Sequence, residues 1–266
     1  MSIERALVIG GCGGFGRCFT RLLNEADVAV TTVDVVPGAD LQADITEDMA
    51  PVRAALSVAD VIILCVPEDQ TIDLLAALDQ DVSSEQLVVD ICSVKSRVGK
   101  VAEEMCKQAE YLSLHPMFGP DRPLQDSNAV VIPIRRNDVF EKFLPLLAAA
   151  GLNIIESTVD EHDRVTSLVQ VIPHLLLINF AKVRAEADIP EDLVQAFATP
   201  IFKDLEKVSQ GLVHENPALY HNIQTANPNG EAARQLVLEA LLSTKAVLEQ
   251  EQSQATEELF SAVRRD

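Results

Sequence analysis

One stretch of this sequence concentrates residues that can do chemistry: Leu112-Ser113-Leu114-His115-Pro116-Met117-Phe118-Gly119-Pro120. A short apolar run stops at a histidine, and two prolines and a glycine hold the turn after it. Pro116 disfavours helical geometry at His115 and favours an extended backbone, as expected of a residue leaving a strand. A histidine there is a candidate proton acceptor, because its unperturbed pKa lies near neutrality and α/β folds place their chemistry at strand exits. A packed turn histidine is the plain alternative. Ser93 and Lys95 follow the run Leu87-Val88-Val89-Asp90, in the same relation to their strand as His115 to its own. Ser93 suits a hydrogen bond to a histidine and Lys95 suits a substrate anion; helix capping and a solvated lysine are the structural alternatives.

The elements that must position these residues begin with Ala6-Leu7-Val8-Ile9, a buried strand followed at once by Gly10-Gly11-Cys12-Gly13-Gly14-Phe15-Gly16. Phe15, Cys18, Phe19, Leu22 and Leu23 then repeat at helical spacing. Gly11, Gly13 and Gly16 satisfy G-x-G-x-x-G in the strand–turn–helix context that gives it meaning. Its backbone, with Gly14 and Phe15, is expected to cradle a pyrophosphate on the helix N-terminus. Val28 to Val33 forms a second strand ending at Asp34, placed to accept hydrogen bonds from ribose hydroxyls and to repel a 2′-phosphate. NAD is therefore the expected cofactor, with Val66 and Pro67, at the exit of the strand Asp60–Val66, passing close to it. Further strands at Leu87–Asp90, Tyr111–Leu114, Ala129–Ile134 and Leu152–Ile155 alternate with helices, which predicts a mainly parallel sheet. The fold class is α/β: a Rossmann-like domain over 1–157, then an all-helical domain over 158–266.

Composition bounds the partners. With 21 Lys+Arg against 41 Asp+Glu, the net charge of −20 argues against nucleic acid or an anionic membrane surface. It also requires a local cationic pocket for any anionic substrate. The five cysteines form no C-x-x-C pair, which points to reduced thiols in a cytoplasmic protein rather than to disulfides or zinc. The first apolar run is four residues long and ends in glycines, so no secretory signal is expected. No segment reads as a membrane span.

The second half reads as helix throughout. Thr158-Val159-Asp160-Glu161 has capping-box spacing, and helical periodicity runs from Asp160 to Ala187 with an expected kink at Pro173. Asp163, Thr166, Ser167, Gln170 and His174 make a polar stripe on this apolar helix. Further helices are predicted over Glu191–Lys207, Asn216–Thr225 and Asn229–Val263. So apolar a domain, with so long a final helix, is expected to pair with a second copy.

Taken together, the glycine turn, Asp90-x-x-Ser93-Val94-Lys95, the His115–Pro120 string, Glu161-His162-Asp163 and Gln170-x-x-Pro173-His174 resemble the prephenate dehydrogenases in content and order. Thr199-Pro200-Ile201-Phe202 and Asn216-Pro217-x-Leu219-Tyr220 look like that family's C-terminal landmarks. The resemblance implies NAD-dependent oxidative decarboxylation of prephenate to 4-hydroxyphenylpyruvate, with a hydride leaving ring C4, as in tyrosine biosynthesis. By resemblance His115 is the neutral acceptor for the C4 hydroxyl, and Ser93 orients it or contacts substrate and nicotinamide. Lys95 is an active-site lysine, His174 a second active-site histidine, and Gln170 a substrate contact. The family's carboxylate-binding arginine falls on Gly211 by counting back from Pro217, which leaves Lys207, Lys203 or Arg122 as substitute cations. Arogenate and 4-amino-4-deoxyprephenate are alternative substrates, and a non-catalytic NAD-binding protein is the alternative from another class.

Overall fold

The computed structural model describes residues 3–136, 138–250 and 253–264. Two compact units divide at Asp163/Arg164, rather than at the 157/158 boundary expected from the sequence. The first turns of the helix after residue 158 stay with the sheet unit, because His162 and Asp163 hydrogen-bond into it.

The sheet unit runs β1 (Arg5–Ile9), α1 (Gly14–Glu25), β2 (Ala29–Asp34), β3 (Leu41–Gln42), α2 (Arg53–Leu56), β4 (Val61–Leu64), α3 (Glu68–Leu78), β5 (Leu87–Asp90), α4 (Ser96–Glu104), β6 (Glu110–Pro116), β7 (Asn128–Arg135), α5 (Asp138–Ala149) and β8 (Asn153–Glu156). The strands form one sheet in the order β3-β2-β1-β4-β5-β6-β7-β8, parallel except for the antiparallel β6–β7 pair. Every residue of β4 and β5 is buried, as continuous apolar runs covered on both faces by helices must be. One apolar cluster, with Leu7, Ile62, Val88 and Tyr111, packs on one face; the other holds Val8, Ile63, Val89, Leu112 and Leu114.

This order places a topological switch point at β1, whose neighbours β2 and β4 lead the chain in opposite directions. Ligands of open α/β sheets bind at the carboxyl ends of strands at such a point. The register aligns Ile9 with Leu64, Leu64 with Asp90 and Asp90 with Ser113. The glycine turn, the Val66-Pro67 exit, Ser93 and His115 thus share one edge of the sheet. The strand carrying His115 extends through Pro116, beyond the predicted end at Leu114, because antiparallel pairing with β7 continues to Pro116↔Ala129.

The helical unit follows α6 (Val159–Thr166) with a π-helical turn at Ser167–Val171, then α7 (Ile172–Glu186), α8 (Glu191–Phe197), α9 (Pro200–Val213), α10 (Pro217–Ala226), α11 (Gly230–Leu248) and α12 (Ser253–Val263). The kink expected at Pro173 is replaced by this wider turn. It shifts the hydrogen-bond register so that proline's missing donor falls in the first turn of α7, where no partner is needed. The single helix predicted over Glu191–Lys207 is two. Thr199 caps α9 by accepting a hydrogen bond from the Phe202 N–H at 3.2 Å, and Pro200 occupies its first position. Asn216 and Pro217 begin α10 in the same way. The predicted final helix also breaks, at Leu248; residues 251 and 252 of that run lie outside the described residues.

Apolar surface dominates this unit. α7 and α8 bury none of their residues within the chain, and Val183, Phe197 and Ile201 are 68%, 80% and 74% exposed. The expectation that no segment resembles a span is corrected here: Val159–Glu186 is long and apolar enough by composition, with mean hydropathy 1.3. A single such helix is weak evidence for a span, since the apolar helices of soluble proteins pass the same test.

An added Cβ at Gly16 would lie 2.1 Å from the Gly10 carbonyl oxygen, a backbone atom with nowhere to move. Gly16→Ala is therefore expected to cost about 1–3 kcal/mol of stability, as overpacking does. It should also open the turn, so that calorimetry shows a lower melting midpoint and titration shows weakened dinucleotide binding.

Candidate active site

The glycine turn is built by close approach. Gly10 takes a positive φ of 80° and donates to Val33 O at 2.8 Å, while Gly13 N–H donates to Gly10 O at 3.0 Å. At Gly11 a Cβ would sit 2.6 Å from Thr32 Cβ, and at Gly10 2.4 Å from Cys65 O. α1 begins behind Gly13 with no side chain capping it, so its first N–H groups face the turn, as a phosphate cradle requires. Asp34 ends β2, and its carboxylate accepts the Cys12 N–H at 2.9 Å and the Val36 N–H at 3.2 Å. Beside it lies a cavity of 450 Å³ lined by Gly10, Asp34, Val35, Ile45, Val66 and Leu74 among others. A bare helix N-terminus, a turn that rejects side chains and an acid beside a slot of mixed apolar and polar lining fit a dinucleotide with a free ribose diol. Of the predicted cofactor residues, Asp34 and Val66 line this slot, and Gly11, Gly13, Gly14, Phe15 and Gly16 make up the turn and helix start. Pro67 caps α3 at the adjoining strand exit.

His115 is 3% exposed and lies on the same sheet face as Ser113 and Tyr111, two and four residues before it. Its partner is one that sequence reasoning missed. The Nδ1 atom lies 2.8 Å from His162 Nε2, and His162 Nδ1 lies 2.7 Å from Asp163 Oδ1. Asp163 also accepts the Lys95 N–H at 3.0 Å, the Ser96 N–H at 2.9 Å and the Ser96 hydroxyl. The predicted Ser93–His115 hydrogen bond is not made, because His162 occupies the Nδ1 side of the ring. Nor does Ser93 cap α4: that role falls to Asp163, which accepts the Lys95 and Ser96 N–H groups from 68 and 67 positions along the chain. Glu161-His162-Asp163 stood out in the sequence as a motif, but nothing local to it revealed which histidine it would meet.

Lys95 needs a second correction. It is fully buried, with Nζ 2.9 Å from Asp90 Oδ1 and 2.7 Å from Leu114 O. Its ammonium is neither solvated nor directed at a substrate anion; it holds the ends of β5 and β6 together directly beneath His115. Tyr111 donates its hydroxyl to the other Asp90 oxygen at 3.0 Å.

The loop after His115 packs onto the glycine turn. Phe118 meets Phe15 edge-on with ring centroids 5.9 Å apart, and a Cβ on Gly14 would lie 2.7 Å from Pro120 Cγ. Gly14 is thus held to glycine by the histidine loop, which couples the two motifs mechanically. Arg122 is exposed in the following turn, closed by its own N–H on Gly119 O.

In the helical unit, His174 packs edge-on against Tyr220 at 4.9 Å. Its buried Nδ1 has no hydrogen-bond partner among the described residues. Gln170 is half-buried on the π-helical turn. Thr166, from the polar stripe, accepts from Asn227 at 3.2 Å. Elsewhere in this unit a cavity of 560 Å³ is lined by Arg184, Glu191, Lys203, Glu206 and Lys207 among others. Arg184 pairs with both glutamates, and neither lysine is ion-paired among the described residues. Gly211, where the family's arginine is expected, faces open space, with nothing within 4 Å of an added Cβ.

Two family models match the sequence. The nucleotide-binding domain of prephenate dehydrogenase matches residues 20–131, and the dimerization domain of prephenate dehydrogenase matches residues 158–264. The chain belongs to the prephenate dehydrogenase family. A 4-amino-4-deoxyprephenate dehydrogenase of Streptomyces pristinaespiralis is 27% identical over 98% of this chain and 90% of its own length. A prephenate dehydrogenase of Bacillus subtilis is 23% identical over 64% of this chain, which spans 48% of that relative. The fold is that of the Aquifex aeolicus prephenate dehydrogenase solved with hydroxyphenyl propionate and NAD+, with TM-score 0.78, 18% identity, and 98% and 96% of the two chains covered. As a member of the prephenate dehydrogenase family the chain is an oxidoreductase, its first half a nucleotide-binding domain and its second a dimerization domain.

Burial holds His115 well below the ordinary histidine range, assisted by the Lys95 charge and by His162. Burial lowers His162 too, against the pull of Asp163, and lowers His174. All three are neutral in the folded protein at pH 7. The unfolded chain takes up protons at these histidines below about pH 6.5, where the folded chain does not. Their contribution to stability is therefore complete above that pH and declines as pH falls toward the lower folded-state values. The melting midpoint should drop as the pH falls from roughly 6.5 to 5, and drop less steeply in His115→Asn. Calorimetry across that range checks it.

Proposed function

We propose that this protein oxidatively decarboxylates prephenate to 4-hydroxyphenylpyruvate with NAD as the acceptor, in the supply of tyrosine. The observation that carries this reading is His115: a buried, neutral imidazole at a strand's carboxyl end, its loop packed on a dinucleotide turn, in a chain matched by both domains of the family. NAD, when bound, supplies a two-electron acceptor. The chain's own task is then small, because aromatisation of the ring drives loss of the carboxylate as carbon dioxide. It must orient ring C4 and hold the proton of the C4 hydroxyl as that carbon is oxidised. His115 Nε2 accepts that proton, and Ser93, half-buried at the neighbouring strand exit, contacts substrate and nicotinamide. His174 and Gln170 contribute substrate contacts, the buried bare Nδ1 of His174 supporting a polar partner there.

The substrate is a dianion and the protein carries −20, so a cation must be provided locally. Lys207, with Lys203 beside it, supplies it in this reading. All three candidates are exposed, but Lys203 and Lys207 line a polar cavity and are unpaired among the described residues. The working form is a homodimer through the helical domain, in the cytoplasm, acting on a small molecule and not on nucleic acid or membrane.

The Streptomyces relative favours a second reading, in which the substrate is 4-amino-4-deoxyprephenate and the ring nitrogen takes the place of the hydroxyl at His115. Assays of NADH formation with prephenate, arogenate and 4-amino-4-deoxyprephenate in parallel decide between them, with the highest kcat/KM expected for prephenate. No turnover on any, with NAD binding intact, would establish the non-catalytic reading instead. His115→Asn should lower kcat by roughly 100- to 10,000-fold, the range of general-base catalysis, with little change in KM. Lys207→Ala should raise KM about 30-fold or more, as loss of one partner of a charge pair does, while Arg122→Ala leaves KM near its wild-type value.

A further inference from the structure

The hydrogen-bond chain behind His115 determines which of its nitrogens is basic. Asp163 receives two backbone N–H groups, the Ser96 hydroxyl and His162 Nδ1. Burial alone would raise its carboxyl, but these bonds outweigh burial and hold it below the usual range, so it is ionised and can only accept. His162 Nδ1 must then carry a proton. Neutral His162 has only a lone pair left at Nε2, so the 2.8 Å contact requires a proton on His115 Nδ1. The basic atom of His115 is Nε2.

We propose that His162 is a positioning residue: it locks His115 in its Nδ1–H tautomer and serves as the resting place for the proton that His115 takes up. When Nε2 of His115 gains a proton, its Nδ1–H bond breaks and a new N–H bond forms at His162 Nε2. His115 is left neutral in the opposite tautomer and His162 becomes an imidazolium paired with the Asp163 carboxylate. No electron transfer is involved. The other groups facing the pair set the direction. Lys95, tied to the Leu114 carbonyl next to His115 in the chain, disfavours charge on both rings, whereas Asp90, held by Lys95 and Tyr111, favours it on His162. Asp163, at 2.7 Å, favours charge on His162.

The kinetic part of the test rests on the proposed dehydrogenase reading; the spectroscopic part does not. The chain has five histidines, few enough for 15N-histidine NMR of the full protein without substrate, with His115 assigned by its absence in His115→Asn. At pH 7.5 the wild type should show a protonated Nδ1 and a bare Nε2 at His115. In His162→Leu, whose fold is checked by circular dichroism, His115 should lose that fixed tautomer, and kcat should fall roughly 100-fold with KM little changed. His162→Gln presents an amide oxygen to Nδ1–H, so it should restore the tautomer and much of the turnover. It cannot store the proton, so the acid limb of its kcat profile should move relative to wild type. A wild-type His115 protonated at Nε2, or a tautomer unchanged in His162→Leu, would overturn the proposal. So would an acid limb in His162→Gln identical to wild type. Failure of every substrate with the tautomer as expected would count against the proposed reaction and leave the assigned tautomer standing.

Discussion

Everything at the reactive edge of the sheet rests on one buried ion pair, Lys95 with Asp90. Both side chains are wholly inaccessible to water, where an unpaired charge would be strongly disfavoured. The pair is tolerated because each partner is multiply hydrogen-bonded. Asp90 accepts from Lys95, Tyr111 and the Cys92 N–H, and Lys95 donates also to the Leu114 carbonyl. Such a pair contributes little net stability relative to an apolar substitute, but removing one partner alone typically costs about 3–5 kcal/mol. Here it fixes the spacing of two adjacent strand ends and places a positive charge below the imidazole that follows.

That charge has a chemical consequence. Burial, the lysine and a second histidine all hold His115 neutral, the state that the proposed base role requires. The cation that stiffens the strand ends therefore also prepares the base. Asp163 has an equally double part. Its carboxylate caps α4 and orients His162, so the position of a helix and the orientation of two imidazoles follow from one side chain. The edge-on contact of Phe118 with Phe15 and the close approach of Pro120 to Gly14 extend this coupling to the nucleotide turn.

The helical unit follows a different logic. Its helices leave large apolar side chains bare, as befits the dimerization domain that this half of the chain matches. The cavity holding Lys203, Lys207 and Arg184 also holds two glutamates, Glu191 and Glu206, both paired with Arg184.

Much of this molecule was legible in one dimension. The glycine turn between strand and helix, Asp34 at the end of the second strand, the alternation that builds a parallel sheet and the histidine at a strand exit all depend on short-range periodicity and backbone preference. Residues within about a dozen positions carry these signals. What stayed hidden depends on pairs far apart in the chain. His162 meets His115 from 47 positions away and Asp163 caps α4 from 67 and 68 away. No local pattern distinguishes a lysine buried against Asp90 from one in solvent, or Ser93 from Ser96 as the hydroxyl that Asp163 would engage. Proline signals lay between these extremes: Pro173 announced a disturbance of its helix, which packing resolved as a π-helical turn just before it, while Pro200, inside a run read as one helix, starts a new one. The sequence by itself determined the nucleotide turn, the family and the edge of the sheet on which the candidate histidine lies. The tertiary structure decided which residue His115 bonds to, which side chain caps α4 and where Lys95 is buried, because those choices belong to contacts that exist only once the chain has closed on itself.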